Sequence, residues 1–411
     1  MPKLMLALLA ATALTGAAHA KTIAVGPGPD AQERLQTALL DAKPGDVVQI
    51  AAGRYDLVDG LSLDVDDVTV KGAGPEATIL SFKGQKGAGE GLLVTSDRVT
   101  IRDLAVEDTK GDGLKSKGSD QISFVNVRVE WTGGPKETNG AYGVYPVSSS
   151  NVLIDRALVR GASDAGIYVG QSKNIVVKRS RAEFNVAGIE IENSMNADVF
   201  DNVATRNTGG ILVFDLPNLP VMGGHSTRLF RNKVVDNDTP NFAPAGNIVA
   251  GVPVGTGVMI MANRNVHVFD NEIAGNQSTA VMLVSYTQKF DDKTYNPLAR
   301  DIVVRDNRIG RNGWDPKFAG GDVIKGLLGR DIPPVMWDGV TSHPQNSDPV
   351  RMRLTDGPVL NLRLPGPGQV DKANPDMTPN VAIDGATVAE PAPVVLPKPQ
   401  TDLGAQTDLG A

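Results

Sequence analysis

The chain has 411 residues, of which 41% are hydrophobic and only 5% aromatic, and it contains 45 glycines and 27 prolines. This composition argues against a helical bundle with an aromatic core and favours a repetitive β protein. The formal net charge of -7 argues against general affinity for nucleic acid or anionic lipid, and a sequence without cysteine excludes disulfides and thiolate metal sites.

Residues 1–20 have the pattern of a secretory signal peptide. Lys3 precedes an apolar run, and Ala18-His19-Ala20 is typical of a cleavage site. We therefore expect an exported protein, periplasmic or secreted, whose mature chain starts near Lys21. No later apolar run approaches the roughly 18 to 20 residues that cross a bilayer, so we expect no membrane span.

Residues 21–60 are predicted to form an N-terminal cap and the first strand. Leu35, Ala38 and Leu39 have helical spacing, Pro44-Gly45 ends the helix, and residues 47–50 read as a strand. A helix at this position would cover the first edge of a sheet, which otherwise invites aggregation.

From residue 61 to residue 314, a glycine followed by alternating aliphatic residues returns about every 22 residues. The phrase begins at Gly91, Gly113, Gly143, Gly166, Gly188, Gly210 and Gly257, with Ala280 in the same role. This unit is too short for a helical hairpin. It predicts an all-β fold, a right-handed parallel β-helix with three short strands per coil and a capping helix at its N-terminus.

Asparagines recur at two further registers of the repeat. One series is Asn202, Asn232, Asn271 and Asn307, and the other is Asn185, Asn207, Asn237, Asn276 and Asn312. Surface turns would also use asparagine, but two registers that hold across insertions favour hydrogen-bonded ladders along the stack. We also expect these residues to supply the left-handed backbone of a tight corner.

The residues after the predicted helix resemble the opening of the secreted pectate-lyase-like β-helix superfamily. The matching positions are Pro44, Gly45, Asp46, Val48, Ile50, Gly53 and Tyr55. Residues 21–314 are also similar to the right-handed β-helix repeat proteins described as carbohydrate-binding and sugar-hydrolysis modules, which include alginate epimerases and a periplasmic protein that assists nitrous-oxide reductase maturation. The resemblance implies the fold and leaves the activity to be argued from residues.

Residues in excess of the repeat fall at only two corners of the coil, both beside the glycine-led strands. The four inserts are residues 131–138, 215–226, 239–255 and 287–299. They should wall in the outer face of one sheet and frame a groove for a chain-like ligand such as a polysaccharide. Strand alternation predicts that Lys115, Lys117, Tyr145, Tyr168, Glu190 and Glu192 point outward between the walls.

The first interpretation of this column is a polysaccharide lyase or uronate C5-epimerase. Such an enzyme needs a base and a cation or hydrogen-bond donor beside a carboxylate, and Lys115, Lys117, Tyr145, Tyr168 and the loop residue His225 are the candidates. The D-P-H-D motif of bacterial alginate epimerases is absent from the sequence. Phe214, Asp215 and Met259 are predicted to contact substrate.

Two other functions stay open. Glu190 and Glu192 have nearly the spacing of an inverting glycoside hydrolase, although the paired aspartates of polygalacturonases are absent from the sequence. The apolar end of the column instead favours a non-catalytic periplasmic scaffold that holds a glycan or a protein partner. Calcium is a candidate cofactor through Asp215, Asp291 and Asp292, but their spacing matches no known loop, so no metal site is predicted.

The C-terminal part of the sequence loses the rhythm of the repeat. Residues 315–386 are predicted to form an irregular cap, in which short apolar pieces alternate with proline and glycine. Residues 387–411 are rich in proline and end in a duplicated T-D-L-G-A, which predicts a disordered tail.

Overall fold

The computed structural model describes residues 20–87, 89–344 and 346–398. The predicted signal peptide, apart from Ala20, and residues 399–411 lie outside the described residues. Within the described ranges, none of the helices is long and apolar enough to cross a membrane.

The described residues form a parallel β-helix built from three stacks of strands. The smaller sheet is one stack of glycine-led strands: Leu61–Leu63, Leu92–Val94, Leu114–Lys117, Tyr142–Val147, Ala165–Gly170, Ala187–Glu192, Gly209–Phe214, Thr256–Met261, Thr279–Val284, Val335–Trp337, Val359–Asn361 and Asp376–Thr378.

The larger sheet contains the other two stacks. The first consists of Thr22–Val25, Val47–Ile50, Thr69–Lys71, Thr100–Glu107, Ser123–Glu130, Ser150–Asp155, Lys173–Lys178, Met195–Phe200, His225–Phe230, Arg264–Phe269, Arg300–Arg305, Met352–Leu354 and Val381–Ile383. The second stack shares the two eight-residue strands Thr100–Glu107 and Ser123–Glu130 with the first. It also contains Gly53–Asp56, Thr78–Ser81, Leu158–Arg160, Arg181–Glu183, Val203–Thr205, Lys233–Val235, Glu272–Ala274 and Arg308–Ile309.

Five helical segments accompany the strands. Two are α-helices, Ala31–Asp41 and Gly321–Leu328, and three are short 3₁₀ turns, Ile248–Gly251, Val370–Lys372 and Gly385–Thr387. Leu35, Ala38 and Leu39 are buried in the N-terminal helix, as their spacing predicts.

The register of the coils confirms the predicted fold. Ile167 pairs with Ile189 in the next coil, and Ile189 pairs with Ile211 in the one after. The glycine that leads each phrase is required by close packing: a Cβ added to Gly188 would lie 2.6 Å from the carbonyl oxygen of Gly210 and 2.8 Å from Nδ2 of Asn207. Any side chain there would clash with the neighbouring coil.

Both asparagine ladders are present. In one, Nδ2 of Asn207 donates to Oδ1 of Asn237 at 3.1 Å, and Nδ2 of Asn237 donates to Oδ1 of Asn276 at 3.0 Å. The prediction of a left-handed backbone at the asparagines is wrong. The residue before the asparagine adopts it in eight of the nine cases, for example Arg206 with φ 57°, and Arg311 before Asn312 is the exception. The asparagine amide is thus left free to bond along the stack.

The β-helix continues past the boundary predicted at residue 314. Val335 pairs in parallel with Val281, and Met352 pairs in parallel with Ile302. Antiparallel strands then end both sheets, because Thr378 pairs with Val359 and Val381 pairs with Leu354. Short apolar pieces that carry no glycine phrase therefore build further coils.

The prediction of disorder from residue 387 is wrong for residues 387–398. Glu390 forms ion pairs with Arg228 and Arg305, and the backbone N–H of Val394 donates to Oδ2 of Asp198 at 3.0 Å. We call residues 389–398 the strap, since they cross the outer face of the larger sheet.

Candidate functional site

The structure places the predicted outward residues of the smaller sheet in two neighbouring columns, one from Lys115 to Glu190 and the other from Lys117 to Glu192. Strand pairing aligns Lys115 with Tyr145, and Tyr168 with Glu190. The rings of Tyr145 and Tyr168 are 5.0 Å apart. From Glu190 the column continues in register through Leu212, Met259 and Met282. Residues far apart in the sequence therefore share one continuous stripe.

The stripe is not the open groove that the inserts predict. Lys117 is exposed, Lys115 and Tyr145 are half-buried, but Tyr168 is only 5% exposed and Glu190 only 1%. The insert 239–255 closes over this end, where Asn247 donates to Oδ2 of Asp164 at 3.0 Å. Exposure therefore falls along the stripe from Lys117, which is accessible, to Glu190, which is covered, and we call this part of the surface the cleft.

Three tyrosines form the wall of this cleft. The ring centroids of Tyr142 lie 4.5 Å from Tyr145 and 4.4 Å from Tyr168. Sequence reasoning missed Tyr142 because it precedes the glycine of its phrase and so stands outside the predicted column. Its position directly before Gly143 in a glycine-led strand was the available signal.

Lys115 is a fixed cation at the mouth of the cleft. Its Nζ lies 2.7 Å from Oε1 of Glu90, 3.0 Å from Oδ2 of Asp112 and 4.9 Å from the ring centre of Tyr145. Burial lowers the pKa of Lys115, but the hydrogen bonds and charges of Glu90 and Asp112 outweigh it and raise the pKa above its usual value. Of the predicted roles, Lys115 therefore suits that of the cation better than that of the base.

Buried acids line the closed end. The hydroxyl of Tyr168 donates to Oε1 of Glu192 at 2.6 Å, and Oε2 of Glu190 has no hydrogen-bond partner among the described residues. Burial raises the pKa of Asp164 and of Glu192 to about 7. Burial together with the charge of Glu192 raises the pKa of Glu190 well above its usual value. Near neutral pH this cluster both holds and releases protons.

Asp164 is the second functional residue that sequence reasoning missed. It lies in the turn before the strand Ala165–Gly170, so the alternation of that strand does not include it. Its charge interacts with Glu192, and the insert residue Asn247 holds it in place. An acidic residue just before a glycine phrase was the only local signal.

The predicted substrate-binding residues lie behind the closed end of the cleft, where Phe214 pairs with Glu192 and the charge of Asp215 acts on Glu192. Phe214 and Met259 line a separate apolar cavity of about 250 Å³ beneath the third insert, and Phe214 is fully buried. Asp215 accepts the backbone N–H groups of Gly223 and Gly224 at 3.2 and 2.7 Å and so closes its own loop. Their predicted contact with substrate finds no support in this packing.

His225 also differs from its predicted place on a loop beside the groove. It is the first residue of the strand His225–Phe230 in the larger sheet, and its Nδ1 lies 2.8 Å from the hydroxyl of Ser226. In the part of the chain that the structure describes, no group of three or more histidine, aspartate or glutamate residues is arranged to hold a metal ion. Asp215, Asp291 and Asp292 thus do not form such a group.

Comparison with known proteins finds one family model, described as right handed beta helix region, which matches residues 68–223. No curated protein matches the chain.

Among solved structures, the A-module of mannuronan C-5 epimerase AlgE4 from Azotobacter vinelandii is similar with 17% identity and a TM-score of 0.45, covering 70% of this chain and 86% of that one. A polygalacturonase from Erwinia carotovora ssp. carotovora is similar with 10% identity and a TM-score of 0.47, covering 73% and 94%. The parallel register of the coils and this match lead to one conclusion: the chain folds as a parallel β-helix, and its residues 68–223 match the right handed beta helix region.

Proposed function

We propose that the protein is a carbohydrate-active β-helix protein that binds the end of an acidic saccharide chain in the cleft between Lys117 and Glu190. The observation that carries this proposal is a tyrosine wall that leads to proton-holding acids at a closed end. Tyrosine faces offer flat amphipathic surfaces to sugar rings. The closed end favours a chain terminus over the interior of a polymer.

The charges of the cleft suit an acidic sugar. Lys117 stands exposed at its mouth, where a uronate carboxylate would gain a charge-assisted hydrogen bond, whereas Lys115 already pairs with Glu90 and Asp112. Below about pH 7, Asp164, Glu190 and Glu192 are mainly neutral, since burial raises the pKa of each. An anionic sugar would then meet little repulsion.

The same acids support the proton transfers of a lyase or an epimerase. A general base works best when its pKa is near the working pH, and Asp164 and Glu192 have pKa values of about 7. Glu190, whose pKa burial raises well above its usual value, would donate the proton. Tyr168 holds the carboxyl group of Glu192 in place and is a positioning residue.

The inverting hydrolase is less well supported. Its two carboxyl groups must stand about 6.5 to 9.5 Å apart to admit a water. Glu190 and Glu192 are instead only 1% and 7% exposed, which leaves little access for that water.

The Glu192→Gln variant is expected to lose at least about 100-fold in turnover of short oligouronates, since one proton-transfer group is removed. Saccharide binding should change less than about threefold, because the amide keeps the shape of the side chain. Ultraviolet absorbance of unsaturated uronate products and NMR of C5 configuration give turnover, and calorimetry gives binding. Glu137→Gln, an exposed change on the first insert, is the matched control and should behave as wild type.

Equal turnover in Glu192→Gln and wild type would exclude the acid cluster from the chemistry. The second candidate is the non-catalytic scaffold, favoured by the burial of Glu190 and by the insert residue Asn247, which bonds Asp164. Wild type that neither binds nor converts any member of a panel of acidic and neutral oligosaccharides would favour the scaffold.

A further inference from the structure

The outer face of the larger sheet carries a second column of aligned side chains. In coil order it consists of Thr69, Thr100, Ser123, Leu153, Val176, Asp198, Arg228 and His267. The N-terminal half of this column is small or apolar, whereas the C-terminal half is charged or ionisable. The two halves therefore favour different contacts.

The strap covers the charged half. Glu390 accepts from Arg228 at 3.1 Å and from Arg305 at 2.8 Å, and the N–H of Val394 donates to Asp198. Asp198 in turn pairs with Arg228 at 2.6 Å. His267 lies in the same column and is only 2% exposed. These contacts fix the direction of the strap, which runs from the C-terminal coils toward the N-terminal ones.

The strap is an extended segment whose side chains alternate. Val394 and Leu396 are half-buried against the sheet, whereas Val395 between them is 85% exposed. Pro391, Pro393 and Pro397 favour the extended polyproline backbone. An extended chain that runs along the column therefore passes one residue of the column for each coil that it crosses.

Beyond the strap the face forms a groove of about 650 Å³. It begins at Leu396, Pro397 and Lys398 and reaches Gly45 and Ala20. Its floor is the small half of the column, Thr69, Thr100, Ser123, Leu153 and Val176, and its walls include Arg98, Gln121 and Asn151. The floor threonines and Ser123 are each less than 10% exposed, so they lie below the neighbouring side chains.

We propose that this groove is the docking site of the chain's own residues 399–403, which continue the strap toward the N-terminal coils. Adjacent coils stand about 4.8 Å apart and an extended chain advances about 3.1 Å per residue. Thr100 is four coils from Asp198, or about 19 Å, which six residues beyond Val394 would cover. Gln400 is then expected to lie over Thr100.

The length and chemistry of the segment fit the groove. Thr69, one coil further, lies about 24 Å from Asp198, within reach of residues 399–403. These residues read P-Q-T-D-L, with one acid and no bulky aromatic side chain. Lys178 among the lining residues carries the complementary charge, whereas Arg98 already pairs with Asp66 and Asp67.

Cysteine cross-linking in the full chain tests this proposal, because the sequence holds no cysteine and two introduced thiols are the only ones. Thr100→Cys with Gln400→Cys should form an intramolecular disulfide under mild oxidation. Ser123→Cys with Lys398→Cys, which line the same groove, is the positive control. Ser62→Cys with Gln400→Cys is the matched negative control, since Ser62 is exposed on the smaller sheet.

We expect the Thr100/Gln400 disulfide to form at least ten times faster than the Ser62/Gln400 disulfide, as measured by gel mobility and mass spectrometry. Equal rates for the two pairs would overturn the proposal. Dimeric cross-links only would also overturn it, since a second copy's segment would then fill the groove. Circular dichroism of each variant verifies that the fold is intact.

Discussion

Asn207→Ala is expected to lower the free energy of unfolding by about 3 to 4 kcal/mol, because each buried polar group left unpaired costs about 1 to 3 kcal/mol. Nδ2 of Asn207 donates to the carbonyl of Ala182, to that of Thr205 and to Oδ1 of Asn237. Its Oδ1 accepts the backbone N–H and the side-chain amide of Asn185. Alanine removes all five bonds inside a dry stack.

Chemical denaturation followed by circular dichroism measures the expected decrease in the free energy of unfolding of Asn207→Ala. Asn374→Ala is the matched control, because Asn374 is exposed in the C-terminal region. That variant should change the free energy of unfolding by less than about 0.5 kcal/mol. If both variants unfold at the same denaturant concentration, the ladder does not stabilise the β-helix.

The second large effect is a loss of stability as pH rises. Asp164 and Glu192 have pKa values of about 7 in the folded chain, and Glu190 has one well above its usual value, all raised mainly by burial. In the unfolded chain such groups have pKa values of about 4. Between about pH 4 and pH 7 the folded state therefore binds more protons, and the free energy of unfolding falls as pH rises.

We expect a decrease of at least about 2 kcal/mol from pH 5 to pH 8, because one unit of pKa shift corresponds to about 1.4 kcal/mol. Denaturation at several pH values measures it. The matched control is the triple variant Asp164→Asn, Glu190→Gln and Glu192→Gln, which keeps the shapes of the side chains. The free energy of unfolding of this variant should depend only weakly on pH. Part of the remaining dependence comes from Asp215, whose pKa burial raises to about 6. A wild-type stability that is flat over this range would contradict the buried cluster.

Much of the fold is predictable because the repeat is local and regular. The spacing of Gly166, Gly188 and Gly210 sets the length of a coil, and strand alternation then assigns Tyr168 and Glu190 to the outer face. The stacking of the asparagines follows from the same spacing. Because each coil stacks in register on its neighbour, residues at equivalent positions of the repeat lie above one another.

The closed cleft was not predictable in this way. Insert 239–255 has no period, so its sequence does not show that Asn247 reaches Asp164, 83 residues earlier in the chain. Tyr142 precedes the glycine of its phrase and Asp164 lies in the turn before its strand, so the alternating column does not include them either. Whether Glu190 faces solvent or a covering loop depends on this long-range packing, which also raises its pKa.

By itself, the sequence determined the coil, its register and the order of residues along each face, since these depend on spacing within about 22 residues. Only the tertiary structure decided which of those faces are covered. Insert 239–255 closes one end of the tyrosine cleft, and the strap, predicted to be disordered, pairs Glu390 with Arg228 and Arg305 on the other sheet. These contacts join residues far apart in the chain, and no local periodicity encodes them.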